Sequence, residues 1–270
     1  MSQTPASSDL RLVAEHAAPK PSTSTSSSQR LKRLPHYIHP GELRPRPLYE
    51  AVKVVTDRVL AAVLLVPAIP IIFVSAVLVK LTSRGPAFYT QIRLGRHGRP
   101  YRLFKIRTMY HQCELLTGPR WAVPGDKRIT PIGHYLRETH LDELPQLINV
   151  LRGDMSLVGP RPERPEIVPS LEAQIPGYVQ RLAVRPGVTG LAQLQLPADT
   201  DIESVRRKLS YDLYYIRQRN YWLDLKLIVC TAFKMFGMSY SMQRRLFKLP
   251  HPEEVARVSR LPLEAAPATS

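Results

Sequence analysis

A mostly helical α/β protein attached to a membrane, with one short β-hairpin, is the fold class this sequence predicts. Three observations carry it. Residues 59–79, VLAAVLLVPAIPIIFVSAVLV, contain no charge. Residues 87–109, AFYTQIRLGRHGRPYRLFKIRTM, read as two short strands around the Gly- and Pro-containing turn GRHGRP. Residues 201–236 place Val205, Leu209, Leu213 and Ile216 at helical spacing.

The chain of 270 residues is long enough for one substantial core. Residues 1–47 contain TPASSD and PKPSTSTSSSQR, too polar to offset the entropy of ordering, and are expected to form a disordered arm. A membrane segment is expected over 48–83, a catalytic domain over 84–249 and a flexible tail over 250–270. Cys113 and Cys230 are far apart and form no CxxC, which argues against a disulfide framework or a structural zinc site. The eight histidines show no ligand spacing and read as satisfied or surface residues.

The formal net charge of +16 points to an anionic partner. It is unevenly spread: between Asp57 and Glu114 there is no acidic residue, while Arg58, Lys80, Arg84, Arg93, Arg96, Arg99, Arg102, Lys105 and Arg107 all lie there. A solvated face mixes both signs, so this segment is fitted to phosphate or a membrane surface.

As a straight helix, residues 59–79 reach about 30 Å, enough to span a bilayer. Two features favour a segment that enters and returns instead. Both flanks are basic, with Arg44, Arg46, Lys53 and Arg58 before it and Lys80, Arg84 and Arg93 after it, whereas the positive-inside rule puts that excess on one side. Pro67 and Pro70 each remove a backbone donor near its middle. From the residues alone, spanning and re-entrant forms both stand. In the second strand of the hairpin, Lys105 and Arg107 should share a face, either as solubilising charges or as cations for a phosphate or lipid headgroup.

RETHLDELPQLINVLRGDMSLVGPRP, residues 137–162, sets Asp142 and Glu143 between arginines. Pro145 is tolerable only in a first helical turn, which places a helix start near His140 with a capping box from Thr139 to Asp142. Acidic residues there stabilise a helix without any further role. Arg137 and Arg161 point to chemistry as well. Mg²⁺ is commonly held by one or two carboxylates plus substrate phosphate oxygens, arginines clamp the remaining oxygens, and a carboxylate can itself attack phosphorus. Asp142 and Glu143 are therefore the candidate catalytic and metal-binding pair, with Arg137, Arg161, Lys105 and Arg107 as candidate phosphate contacts. In VRPGVTGLAQ, Pro186, Gly187 and Gly190 allow close backbone approach to a ligand, Thr189 offers a hydroxyl, and Gln193 closes the motif; a plain connecting loop reads the same way. The tyrosines, arginines and Trp222 of residues 201–236 suit either an interfacial amphipathic helix or a core helix.

In this order, from about Lys53 to about Phe236, the segments resemble the bacterial sugar transferases that move a sugar 1-phosphate onto polyprenyl phosphate, the monotopic phosphoglycosyl transferases. The motifs that carry the likeness are the apolar segment with its proline, GPAFYTQIRLGRHGRPYRLFKIRTM, LDELPQLINVLRGDMSLVGPRP, RPGVTGLAQ and YDLYYIRQRNYWLDLKL. The resemblance implies a re-entrant membrane helix broken at Pro70, with Pro67 an extra proline, and interfacial amphipathic helices. It implies Asp142 as the nucleophile on the β-phosphate of a UDP-sugar, UMP as leaving group, a phosphosugar carried on Asp142, and Mg²⁺ beside Asp142 and Glu143. The partners implied are a UDP-sugar donor, the polyprenyl (undecaprenyl) phosphate acceptor and membrane lipids, with a homodimer as an option and nucleic acid not expected. The implied place is the cytoplasmic face of the bacterial inner membrane, at the first membrane step of a cell-surface glycan. Larger family members add spans before this core, so the chain is expected to be the minimal catalytic form. Three positions depart from the family pattern: His140 where Ser is usual, Ile69 before Pro70, and AQLQLPADTD after the glycine loop, where the nucleotide sugar is expected.

Two other classes were weighed. A single-span membrane protein with a basic cytoplasmic nucleic-acid-binding domain suits the charge, but no nucleic-acid fold is recognisable and the acidic pair would be idle. A hydrolase releasing the phosphosugar to water would leave the apolar segment without a purpose.

Overall fold

The computed structural model describes residues 46–113, 125–197, 201–235 and 237–259. The expected arm up to residue 45, and residues 198–200 of the departing segment, lie outside the described residues.

Helix α1, Pro47–Thr82, begins with its proline in the first turn, where the missing N–H costs nothing. It continues through Pro67 and Pro70 as one helix of 36 residues, about 54 Å long, rather than dividing at Pro70. Both prolines lie on its exposed side, so their rings meet no packed neighbour. The carbonyls they leave without a helical donor, of Val63 and Val66, belong to that same exposed side. Tyr49, Asp57, Ala61, Ala68, Ser75 and Val79 form a buried stripe along the helix, and fifteen large apolar side chains from Leu48 to Leu81 are exposed. Among the described residues α1 is the one helix long and apolar enough to cross a membrane. Such an extent of exposed apolar surface is what lipid, rather than water, would cover.

Both ends of α1 dock on the rest of the chain. At its start, the Tyr49 hydroxyl and the Lys53 ammonium donate to Asp224 Oδ2 at 2.7 and 2.9 Å. At its end, Val79 packs with Ile106 and Leu136, and the Arg107 guanidinium donates to the carbonyls of Ser83 and Arg84.

Strands β1, Phe88–Leu94, and β2, Pro100–Ile106, pair antiparallel from Phe88↔Ile106 to Leu94↔Pro100, as the sequence predicts. The turn between them uses positive φ at His97 and Gly98. Helix α2, Pro131–Glu138, is capped by Thr130, whose hydroxyl oxygen accepts from the Gly133 amide at 3.0 Å.

The helix expected to start near His140 starts later. Leu141–Glu143 is a single 3₁₀ turn, and α3 spans Gln146–Arg152 with Pro145 just before it. The Thr139 hydroxyl donates back to the Tyr135 and Leu136 carbonyls, so no capping box forms. The chain changes direction at His140, which adopts φ 57°, and this separates the acidic pair from both helices.

Strand β3, Ser156–Val158, pairs parallel with β4, Gly187–Thr189, after α4, Val168–Gln174, and a 3₁₀ run over Tyr178–Ala183. Helix α5, Leu191–Gln195, follows directly. Helix α6, Ile202–Gln218, buries Val205, Leu209, Leu213 and Ile216 and is therefore a core helix. Helix α7, Tyr221–Met235, buries Leu227 and Cys230 while exposing Trp222, Leu225, Phe233 and Met235, so it is the one of the two that presents apolar side chains outward. Helix α8, Tyr240–Phe247, leads to α9, Pro252–Ser259. The flexible tail expected from residue 250 is thus ordered as far as Ser259. Val255 is buried, and the Tyr214 hydroxyl donates to Glu254 at 2.7 Å. A short amphipathic helix has too little apolar content to announce itself, and this one is held by α6.

Candidate active site

The site is built where β2, the 3₁₀ turn and the segment after β3 meet. Asp142 and Glu143 are both buried, Asp142 almost completely at 1% exposure. Leu141, preceding them, packs with Val79, Ile106 and Leu136, which ties the turn to α1 and β2. The Lys105 ammonium reaches from β2 to within 2.7 Å of Asp142 Oδ2 and 3.3 Å of Glu143 Oε1. Arg161 donates to both Glu143 oxygens, at 2.6 and 3.3 Å.

The two carboxyl groups are driven apart. Burial raises the Asp142 pKa; Lys105 opposes that and the Glu143 charge adds to it, leaving the carboxyl above its ordinary value. Burial also penalises Glu143, but Arg161 and then Lys105 outweigh it and hold that carboxyl well below the usual range. Glu143 is thus a fixed anion, with Arg161 on both of its oxygens and Lys105 on one. Asp142 is the more basic carboxylate, and its Oδ2, although in ionic contact with Lys105, accepts no well-aligned hydrogen bond. A basic, incompletely satisfied carboxylate oxygen is what nucleophilic attack on phosphorus requires.

Arg137 is held by α2, with its Nε donating to Thr108 Oγ1 at 2.8 Å. Burial lowers its pKa and the Asp142 charge opposes this, which places the guanidinium within electrostatic reach of Asp142. Gly133 lets α2 approach so closely: a Cβ there would lie 2.0 Å from the Thr108 carbonyl oxygen.

Of the candidate residues, the structure brings together Asp142, Glu143, Lys105, Arg161 and Arg137. Arg107 is placed elsewhere, its guanidinium spent on the Ser83 and Arg84 carbonyls just past the end of α1. In the glycine loop, close approach is made to another part of the chain. A Cβ on Gly187 would lie 2.1 Å from the Gly159 amide nitrogen, and one on Gly190 would lie 2.2 Å from the Gly159 carbonyl oxygen. Pro186 contributes its carbonyl to the Ser156 amide at 2.9 Å. The Thr189 hydroxyl is bonded to that of Thr231 at 2.7 Å. Gln193 differs: its Nε2 donates to the Val188 carbonyl, while its Oε1 is buried without a partner in a cleft shared with Arg161, Arg181 and Lys208.

Lys234 escaped the sequence reading. Its ammonium donates to the Gln193 carbonyl at 2.9 Å, and burial, then the charge of Arg161, lowers its pKa while Glu143 opposes this. A lone lysine on an amphipathic helix carries no signal of such a position.

Among the described residues no three His, Cys, Asp or Glu side chains cluster as a metal site. The donor set still fits Mg²⁺. Asp142 and Glu143 supply hard oxygen ligands, Asp142 Oδ2 has bonding capacity to spare, and Mg²⁺ usually completes its shell with water and substrate phosphate.

The profile of the bacterial sugar transferase family matches residues 48–238. The chain belongs to that family. It is 41% identical over 192 residues to the UDP-N-acetylgalactosamine-undecaprenyl-phosphate N-acetylgalactosaminephosphotransferase of Aeromonas hydrophila, covering 71% of this chain and 45% of that protein. It is 42% identical over 199 residues to the UDP-glucose:undecaprenyl-phosphate glucose-1-phosphate transferase of Caulobacter vibrioides, covering 72% of this chain and 73% of that one. A protein of the same name from Escherichia coli is 40% identical over 184 residues, 67% of this chain and 39% of the relative. The chain therefore spans less than half the length of two of these relatives and about three quarters of the third. All five residues assembled at the site lie inside the matched region.

Proposed function

We propose that this sugar transferase moves a sugar 1-phosphate from a UDP-sugar to polyprenyl phosphate, through a phosphosugar carried on Asp142. The observation that carries the reading is the division of labour within the buried pair, one carboxylate neutralised by Arg161 and Lys105, the other basic and incompletely bonded. The relatives are named for this reaction with two different sugars, and the sugar used here is left to experiment.

In the first half-reaction an Asp142 oxygen bonds to the β-phosphorus, the bond from that phosphorus to the bridging oxygen breaks, and UMP departs with the electron pair. In the second, a phosphate oxygen of the polyprenyl phosphate bonds to the same phosphorus and the acyl phosphate bond to Asp142 breaks. The carboxylate is regenerated and a polyprenyl diphosphate sugar is formed. Negative charge spreads over the phosphoryl oxygens throughout, and Lys105, Arg137 and Arg161 are the cations placed to meet it. Mg²⁺ held by Asp142 and Glu143 would supply further neutralisation of the donor pyrophosphate.

A lipid acceptor accounts for α1. Residues before, within and after its apolar run touch the same domain, Tyr49 and Lys53, then Ala61 and Ala68, then Val79, which supports a single side of the membrane for the whole. The reading that follows is monotopic; its re-entrant form requires α1 to open at Pro67 and Pro70, both on the exposed apolar side, with Trp222 and Phe233 of α7 at the interface. By this account the domain faces the cytoplasm at the inner membrane, where UDP-sugars are made.

The test is UMP release from a panel of UDP-sugars in detergent with Mg²⁺ and undecaprenyl phosphate. Turnover should need the lipid and disappear in Asp142→Asn; undiminished release by that variant would refute the mechanism.

A further inference from the structure

A second cleft lies between the start of α1, the hairpin turn, β3 and the approach to β4. Four cations line it, Lys53, Arg96, Arg185 and Arg219, against a single lining carboxylate, Glu50. None of Lys105, Arg137, Asp142, Glu143 and Arg161 lines it, so the two sites are separate.

The local carboxylates are already committed. Glu50 bridges Arg96 at 3.2 Å and Arg219 at 3.1 Å. Asp224, behind the cleft, accepts from Tyr49, Lys53 and Tyr215. Asp57 accepts from the Ser156 hydroxyl at 2.6 Å. Cationic capacity is left over. Arg96 Nε is buried with no hydrogen-bond partner. Arg185 is half-buried, and no carboxylate of the described residues pairs with it. Its pKa is pushed down by burial and by the nearby charges of Arg96 and Arg58, with Asp57 and Glu50 compensating only in part.

The guanidinium groups of Arg96 and Arg185, lining one cleft, repel unless an anion with several oxygens lies between them. A phosphate group matches their planar forks better than a single carboxylate does. The same end of α1 exposes Val52, Val55 and Val59, which brings the cleft to the edge of the apolar face.

We propose that Arg185 and Arg96 form a second, non-catalytic phosphate-binding site, open to a phosphate group from a lipid headgroup or from solution. It does not depend on the transferase reading, because no residue of the dyad takes part.

The experiment uses the full chain in detergent, with the thermal midpoint followed as two probes are titrated, inorganic phosphate and phosphatidylglycerol, and with phosphatidylcholine as the control lipid. Arg185→Gln and Arg96→Gln are each expected to raise the half-saturating concentration about tenfold, while Arg245→Gln, on the exposed side of α8, leaves it unchanged. Neither substitution at the cleft strands a partner, since Arg185 has no ion pair and Glu50 keeps Arg219. A response to phosphatidylglycerol alone assigns the site to a headgroup; a response to both probes assigns it to the phosphate group itself. Binding lost in Arg161→Gln but unaffected by both cleft substitutions would place the anion at the dyad and overturn the proposal. No saturable response to either probe would overturn it as well.

Discussion

Replacing Lys105 with Met tests the electrostatics of the dyad directly. The ammonium lies 2.7 Å from Asp142 and 3.3 Å from Glu143, with 21% of the side chain exposed. An opposite charge at such a distance from a buried carboxylate lowers its pKa by about 1–3 units. Asp142 already sits above its ordinary value because burial outweighs Lys105, so removing the lysine raises it further. The nucleophile is the ionised form, and activity falls as pH drops through that pKa. The acid limb of kcat/KM for UMP release should therefore move to higher pH by about 1–3 units, as a property of the coupled pair. Lys105→Arg should restore most of the original position. The assay is the pH profile of the variants beside the wild type, because a lost phosphate contact lowers the plateau without moving the limb. A reduced plateau with the limb unmoved would refute the assignment of Lys105 to Asp142.

Three other outcomes follow from the same geometry. Asp224→Ala strands the Tyr49 hydroxyl at the foot of α1 and leaves Lys53 only Asp57 and Tyr215 only the Val158 carbonyl; it should cost about 3 kcal/mol, read as a lower thermal midpoint with faster proteolysis near the start of α1. Gly187→Ala, whose Cβ would meet the Gly159 backbone at 2.1 Å, should separate β3 from β4 and lower both stability and kcat, whereas Gly125→Ala, with nothing within 4 Å, should leave kcat unchanged. Glu143, held below the ordinary carboxylate range, contributes stability at neutral pH that is lost as pH falls from its unfolded value of about 4.3 towards its lower folded value. Glu143→Gln should therefore flatten the decline of thermal midpoint below about pH 4.

The hairpin and α6 were legible in the sequence because their signals are local: alternation around GRHGRP, and Val205, Leu209, Leu213 and Ile216 on one stripe. The dyad and three of its cations, Lys105, Arg137 and Arg161, were legible by type and neighbourhood. Its helix was not, because Pro145 fits a first helical turn as well as the position before one, and His140 shows its left-handed backbone only in three dimensions. The glycine loop shows a similar limit. Glycine signals close approach, but what approaches Gly187 and Gly190 is Gly159, nearly thirty residues earlier. Arg107 shares its residue type with Lys105 and sits two positions away, yet it serves the end of α1. Long-range pairings of this kind, like that of Lys234 with Gln193, have no periodic trace.

The central claim is the covalent step on Asp142. The most direct measurement is the intact mass of the protein after incubation with a UDP-sugar and Mg²⁺ in the absence of polyprenyl phosphate. The account predicts an added mass of one phosphosugar, mapped to the peptide containing Asp142, absent in Asp142→Asn and discharged when polyprenyl phosphate is supplied. UMP release that proceeds without any adduct, or an adduct that persists in Asp142→Asn, would contradict it.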